Sequence, residues 1–166
     1  MASNRLGIAQ ALVYLVQNIQ NPTTNQPLFQ TVKLGAVFNP GSATAFAEIT
    51  HYQGKGGPAG SGGPGWRIQE DVTYQITSGF GPYEKDSTSA QENMLTAQDI
   101  LLPAIRQHFQ LPDPNNPTNA IPSAYNILIE QVDRSQPVRF PSGNVFLLWH
   151  IFVTVSQQYE ITLEQP

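Results

Sequence analysis

The stretch Asn144 to Gln158 constrains this chain more than any other. Val145, Leu147, Trp149, Ile151, Val153 and Val155 alternate on one face of an extended chain, and Phe146, Leu148 and Phe152 occupy the other. A strand that is apolar on both faces at its start has to lie centrally in a sheet, covered there on both sides. It is no membrane helix: from Val145 to Val155 the run has 11 residues, broken by His150 and Thr154, where a helical span needs ~20.

The rest of the chain supplies neighbours for that strand. From Thr31 to Phe38, the residues Val32, Leu34, Ala36 and Phe38 alternate with Thr31, Lys33 and Gly35. Asn39, Pro40 and Gly41 then turn the chain into a second strand, Ala45 to Tyr52. So short a connection predicts an antiparallel pair. Asp71 to Ser78 is a third strand, with Val72, Tyr74 and Ile76 on one face, and Ala124 to Val132 is a fourth.

Two helices complete the pattern. Leu6, Ala9, Leu12, Val13, Val16 and Ile19 form one face of an amphipathic helix over Asn4 to Gln20, which Pro22 ends. Ser89-Ala-Gln-Glu92 matches a capping box, and Met94, Ala97, Leu101, Ile105 and Phe109 follow on one face, with a kink predicted at Pro103. The expected fold class is α+β: a mostly antiparallel twisted sheet of about five strands with two main helices packed on it. Residues 1–166 make a single domain. Two segments lack core residues: a Gly-rich stretch, 54–65, with seven Gly in twelve positions, and a Pro/Asn-rich connector, 111–122. The first is expected to be a long flexible hairpin loop, because ordered Gly loses the most entropy. The second is expected to run extended over the surface.

Charge narrows the function. Only 12% of the residues are Asp, Glu, Lys or Arg, about half the ~25% of an ordinary domain, and 28 Asn and Gln fill the gap. The eight Lys and Arg are scattered singly, which argues against tight nucleic-acid binding. A surface with a net charge of −4 hardly repels copies of itself, so self-association is allowed. With no Cys, neither disulfides nor zinc-thiolate sites can form. Met1 to Leu6 does not read as a secretory leader, so an intracellular product is expected.

Few residues carry a recognisable chemical motif. Gly60-Ser-Gly62-Gly-Pro-Gly65 matches the dinucleotide fingerprint formally, but it precedes Trp66 and a strand where the fingerprint needs a helix N-terminus. A Walker sequence around Gly54 and Lys55 fails at Ile49. His51, His108 and His150 are too far apart for a local metal motif, and His150 is expected to bond to a neighbour within a mixed face. Glu70 and Asp71 are adjacent on a strand and point to opposite faces, so they cannot share a substrate atom. No catalytic residue, metal or cofactor is expected. Trp66, Phe80, Tyr83, Arg139 and Phe140 lie beside turns and, with Lys55, form the candidate interface.

The order of elements is an N-terminal amphipathic helix, a strand pair, a long hairpin tip opening into Trp66-Arg-Ile-Gln-Glu-Asp-Val-Thr-Tyr-Gln-Ile, a capped helix, and two C-terminal strands. From about Ile8 to Tyr159 it resembles the tail terminator and related neck or tail-completion proteins of tailed bacteriophages. The resemblance implies a non-enzymatic virion protein, assembled in the host cytoplasm into a ring, commonly a homohexamer. Such a ring caps the tail tube, stops its polymerisation and docks the head connector, while DNA passes through without specific binding. Its partners would be itself, the tail-tube protein and the neck proteins, with no membrane. The Gly-rich stretch would be an arm that orders on a neighbouring subunit or on the tube. Other readings stay open: a tail-tube or head-completion (neck adaptor) subunit, an enzyme using the Gly-rich loop for phosphate, or a small ligand-binding module with Trp66 or Tyr83 as a stacking platform.

Overall fold

A computed structural model of the chain describes residues 4–36, 40–61, 65–108, 110–121, 124–131 and 135–162, the side chains of 58–61, 65, 66, 131 and 162 excepted. In chain order the elements are α1 (Arg5–Gln17), β1 (Thr31–Leu34), β2 (Ala45–Ser61), β3 (Gly65–Phe80), α2 (Ser87–Arg106), β4 (Pro112–Asp113), β5 (Asn116–Ala120), β6 (Ala124–Gln131), β7 (Gln136–Arg139) and β8 (Val145–Thr162). The fold is α+β, as expected. The expected residues Phe38, Asn39, Phe109 and Val132 lie outside the described residues.

Both helices follow their apolar spacing. In α1 Ile8, Ala11, Leu12 and Val16 are fully buried, whereas Leu6, expected on that face, is 63% exposed. The Asn4 side chain caps this helix by accepting from the Gly7 amide at 3.1 Å. α2 begins one turn earlier than the capping box suggests. Its cap is Asp86, whose carboxylate accepts from the Ser89 amide at 2.9 Å, so Ser89 is a capped residue and not the cap. Pro103 lies inside the helix, and Met94, Ala97, Leu101 and Ile105 are buried, as their spacing predicts.

The main sheet has six strands, in the order β1-β2-β3-β8-β6, with β7 also pairing β8. β8 is central, as its two apolar faces demand. β3 lies along one side of it, and β6 and β7 lie end to end along the other. All pairs are antiparallel except β1 with β2, which is parallel, with Thr31 opposite Phe46 and Leu34 opposite Ile49. The expected hairpin fails here because β1 stops at Leu34, Gly35 turns away at a positive φ of 95°, and the chain returns to enter β2 beside the start of β1.

The Gly-rich stretch is a second correction, since the expected loop is largely a strand. Gly54 pairs with Val72, Gly56 with Glu70, Pro58 with Ile68 and Ser61 with Trp66, and the same β3 residues pair onward with β8. The side-chain pattern that specifies this ladder belongs to β3 and β8, and β2 follows them through its backbone. Gly62, Gly63 and Pro64, at the expected tip, lie outside the described residues. The connector 111–122 likewise contains a small hairpin, β4 with β5, anchored by buried Leu111 and Ile121 at its two ends.

Opposite residues across the ladder share a face. The face under the helices carries Ile49, Ile76 and Ile151 in one row and Tyr74 and Val153 in the next, and all five are buried. On the other face, among the described residues, an aromatic cluster covers the start of β8. Phe46, Phe140 and Phe146 meet edge to face, with centroids 5.3–5.7 Å apart. The Phe46 ring lies across Gly79, where a Cβ would come within 2.3 Å of it.

Candidate functional site

Sheet and helices differ in length, and the mismatch defines two regions. β3 has 16 residues, hence ~50 Å, whereas the 13 residues of α1 span only ~20 Å. The core under the helices ends at a row of polar residues, Glu70 opposite Gln157, exposed by 3% and 2%. Their groups are satisfied from α1. Arg5 pairs with Glu70, Gln157 donates to Glu70 Oε2 at 2.6 Å, and the Asn4 amide donates to Gln157 Oε1 at 3.0 Å. The Tyr74 hydroxyl donates to the Arg5 carbonyl at 2.5 Å.

This network ties the start of α1 to the point where β2, β3 and β8 leave the helices. The Glu70 carboxylate sits at the positive end of α1, which favours its charge. Glu70 and its charge in turn raise the Arg5 pKa. Burial, with a further push from Glu70 and against the opposing effect of Arg5, lifts Tyr74 to about 12. Gly54 makes room for the pair, since a Cβ there would stand 2.9 Å from Glu70 Oε1 and 3.1 Å from Arg5 Nη2. No local motif announces this network. Adjacency alone marks Glu70 and Asp71, and they do face apart: Asp71 accepts from the Ser156 hydroxyl at 2.6 Å on the opposite face.

Past Glu70 and Gln157 the three strands continue, among the described residues, without a helix. On the helix side Ile68 and Tyr159 are half-buried and Ile161 is 45% exposed. On the other side Lys55 stands opposite Asp71, and Arg67 meets Glu160 at 3.3 Å. The projecting end therefore has one apolar and one charged face.

Of the candidate interface residues, Phe80, Tyr83, Arg139 and Phe140 gather at the end of the sheet where β8 starts, whereas Lys55 and Trp66 lie towards the opposite end. Phe80 is 1% exposed and packs on Phe29, so it belongs to the core; its position before a turn is misleading because Tyr83 and the segment after it fold back over the sheet end. Tyr83 is half-buried against that core, and its amide donates to the Val145 carbonyl at 2.7 Å. Arg139 is exposed, paired with Glu84, and donates to the Gly143 carbonyl at 2.8 Å. Phe140 belongs to the aromatic cluster. Lys55 is exposed on β2, and Trp66 stands in β3 opposite Ile161, its side chain outside the described residues. Fourteen residues of one strand separate Trp66 from Phe80, ~45 Å. Sequence reasoning missed Tyr159 and Ile161, whose alternation continues that of β8 beyond its expected end, and Ile68, which lies before the expected start of β3.

His51 packs edge-on against Tyr74, with centroids 5.9 Å apart. The His150 Nδ1 is buried without a hydrogen-bond partner among the described residues. Among the described residues no group of three or more His, Asp or Glu could hold a metal ion, and no helix is long and apolar enough to cross a membrane. No protein-family model matches this chain, and no curated protein matches its sequence.

Proposed function

We propose that this chain is a non-enzymatic structural subunit of a tailed-phage virion. It would be a tail terminator whose copies close into a ring, commonly of six in the proteins it resembles, that caps the tail tube and joins it to the head connector. The observation that carries the reading is the projecting sheet end, where Ile161, Tyr159 and Ile68 extend an apolar face past the last residue that α1 covers. A face of this kind, on a chain with so little charge, suits packing among copies. The order of elements supports the terminator class, and the scattered cations suit a channel that lets DNA pass.

Sedimentation velocity over a wide concentration range, with electron microscopy in the presence of phage tail tubes, tests the reading. The expected result is closed rings, in solution or on tube ends, that stop growing. Polymerisation into tubes would favour the tail-tube alternative. A monomer at every concentration that leaves tube ends bare would contradict the proposal.

A further inference from the structure

The edges of the sheet differ in how they are protected against pairing with another chain. Native edges are blunted by Pro, Lys, bulges and breaks. Past Ile49 the outer edge of β2 carries a proline at position 58, exposed Lys55, and register shifts at His51/Gln53 and Pro58/Gly60. β6 has a register shift at Tyr125/Ile127 with Asn126 at a φ of 55°, and β7 contains Pro137. Two short edges lack Pro, Gly and breaks, and the one Lys on them, Lys33 of β1, is matched by an opposite charge, Glu160, on the other. One is β1, Thr31 to Leu34, which pairs with β2 alone among the described residues. The other is β8 beyond Gln157, where the pairing with β6 ends and residues 158–162, among the described residues, continue beside β3 only.

The two edges also match in pattern. On the helix side β1 presents Val32 and Leu34, the latter 40% exposed, and β8 presents Tyr159 and Ile161. On the other side β1 presents Lys33 and β8 presents Glu160. Beside the β1 edge lies a groove of about 320 Å³, lined by Leu6, Ala9, Leu34, His51, Tyr74 and Arg5. Leu6 and Leu34 are two of the few large apolar side chains left exposed.

We propose that β1 of one copy pairs with residues 158–162 of β8 in a second copy, which seats Ile161 against the Leu6–Leu34 groove and sets Lys33 beside Glu160. This rests on the reading of the chain as a self-assembling ring subunit and names its contact. The two edges are different surfaces, so the contact is head-to-tail, the kind that generates rings when the rotation closes. With Lys33 opposite Glu160, either strand direction keeps apolar residues facing apolar ones. A parallel pair sets Leu34 opposite Ile161, and an antiparallel pair sets Val32 opposite Ile161.

The absence of Cys allows a direct test in the full chain. One variant carries Leu34→Cys with Ile161→Cys, the other Val32→Cys with Ile161→Cys. Opposed strand residues lie ~4.5–5.5 Å apart at Cα, within disulfide reach. A bond inside one copy is impossible. Leu34 stands level with Ile151 across the sheet, and Ile161 lies ten residues further along β8, ~33 Å away. After mild oxidation one of the two variants is expected to give a ladder of cross-linked multimers on a non-reducing gel, with circular dichroism showing an intact fold. The single-Cys variants stop at dimers. Closed oligomers, in solution or on tube ends, without a ladder from either folded variant overturn this contact and leave the ring reading standing, whereas monomers that give no ladder and leave tube ends bare overturn both. Should the Cys variants fail to fold, charge reversal decides. Lys33→Glu is expected to weaken assembly about tenfold or more, and Lys33→Glu with Glu160→Lys to restore it. An unchanged assembly constant for Lys33→Glu overturns the proposal.

Discussion

Along its length one sheet is built in two ways. Where α1 and α2 cover it, each row across β2, β3 and β8 is filled by side chains such as Ile49, Ile76 and Ile151, none of them accessible. Past Glu70 and Gln157 the same strands continue to pair, with one register shift at Pro58/Gly60, but Ile68 and Tyr159 are only half-buried and Ile161 is 45% exposed. The difference teaches that ladder and core are separable here. The ladder sets how far the strands reach, and the helices set how much of that reach the monomer uses for its own stability.

The largest effect that separates the two regions comes from Trp149, 1% exposed in the covered part. Trp149→Ala is expected to cost ~3–5 kcal/mol and lower Tm by about 10 °C, whereas Ile161→Ala should change the monomer by less than ~0.5 kcal/mol. Thermal unfolding followed by circular dichroism checks both. Equal losses would erase the distinction.

Next comes the boundary itself. Glu70→Ala leaves Arg5 and buried Gln157 without their acceptor, at an expected cost of ~3 kcal/mol in urea denaturation. Gly54→Ala should cost ~1–2 kcal/mol by the same measurement, because its Cβ would press on both members of the Arg5–Glu70 pair. A smaller loss at Glu70 than at Gly54 would place the support of the boundary in the strand backbone.

Alkali sharpens the comparison from the covered side. The folded chain holds Tyr74 at about 12 against 10.0 ordinarily, so the fold binds the phenolic proton more tightly than the unfolded chain does. This contribution is complete below about pH 10 and is lost as pH rises towards 12, a fall of ~2 kcal/mol by linkage. Urea titrations at pH 9 and 12 should show it, and Tyr74→Phe should remove this part of the pH dependence.

Much of the covered region is legible in the sequence, because burial writes a period. The spacing of Ala9, Leu12 and Val16 marks α1, and Val145 to Val155 marks the central strand. The projecting end writes a weaker signal. Gly54 to Ser61 reads as a loop because Gly suits flexible segments, yet its register comes from β3, which itself pairs with β8. Arg5, Glu70 and Gln157 are 65 and 87 positions apart in their bonded pairs, so no local pattern could join them. Phe80 is misread because a turn follows it, although its strand continues the buried alternation of Tyr74 and Ile76.

The claim on which the account rests is that the uncovered sheet end serves contact between copies and not the fold of one. Ile161→Asp tests it most directly, compared with the unaltered chain by sedimentation velocity at matched concentrations and by thermal unfolding of the monomer. The account predicts that the unaltered chain forms closed oligomers while the variant sediments as a monomer with an unchanged fold and a Tm within about 2 °C. Oligomers that persist in Ile161→Asp, or a monomer that loses its fold with this substitution, would contradict it.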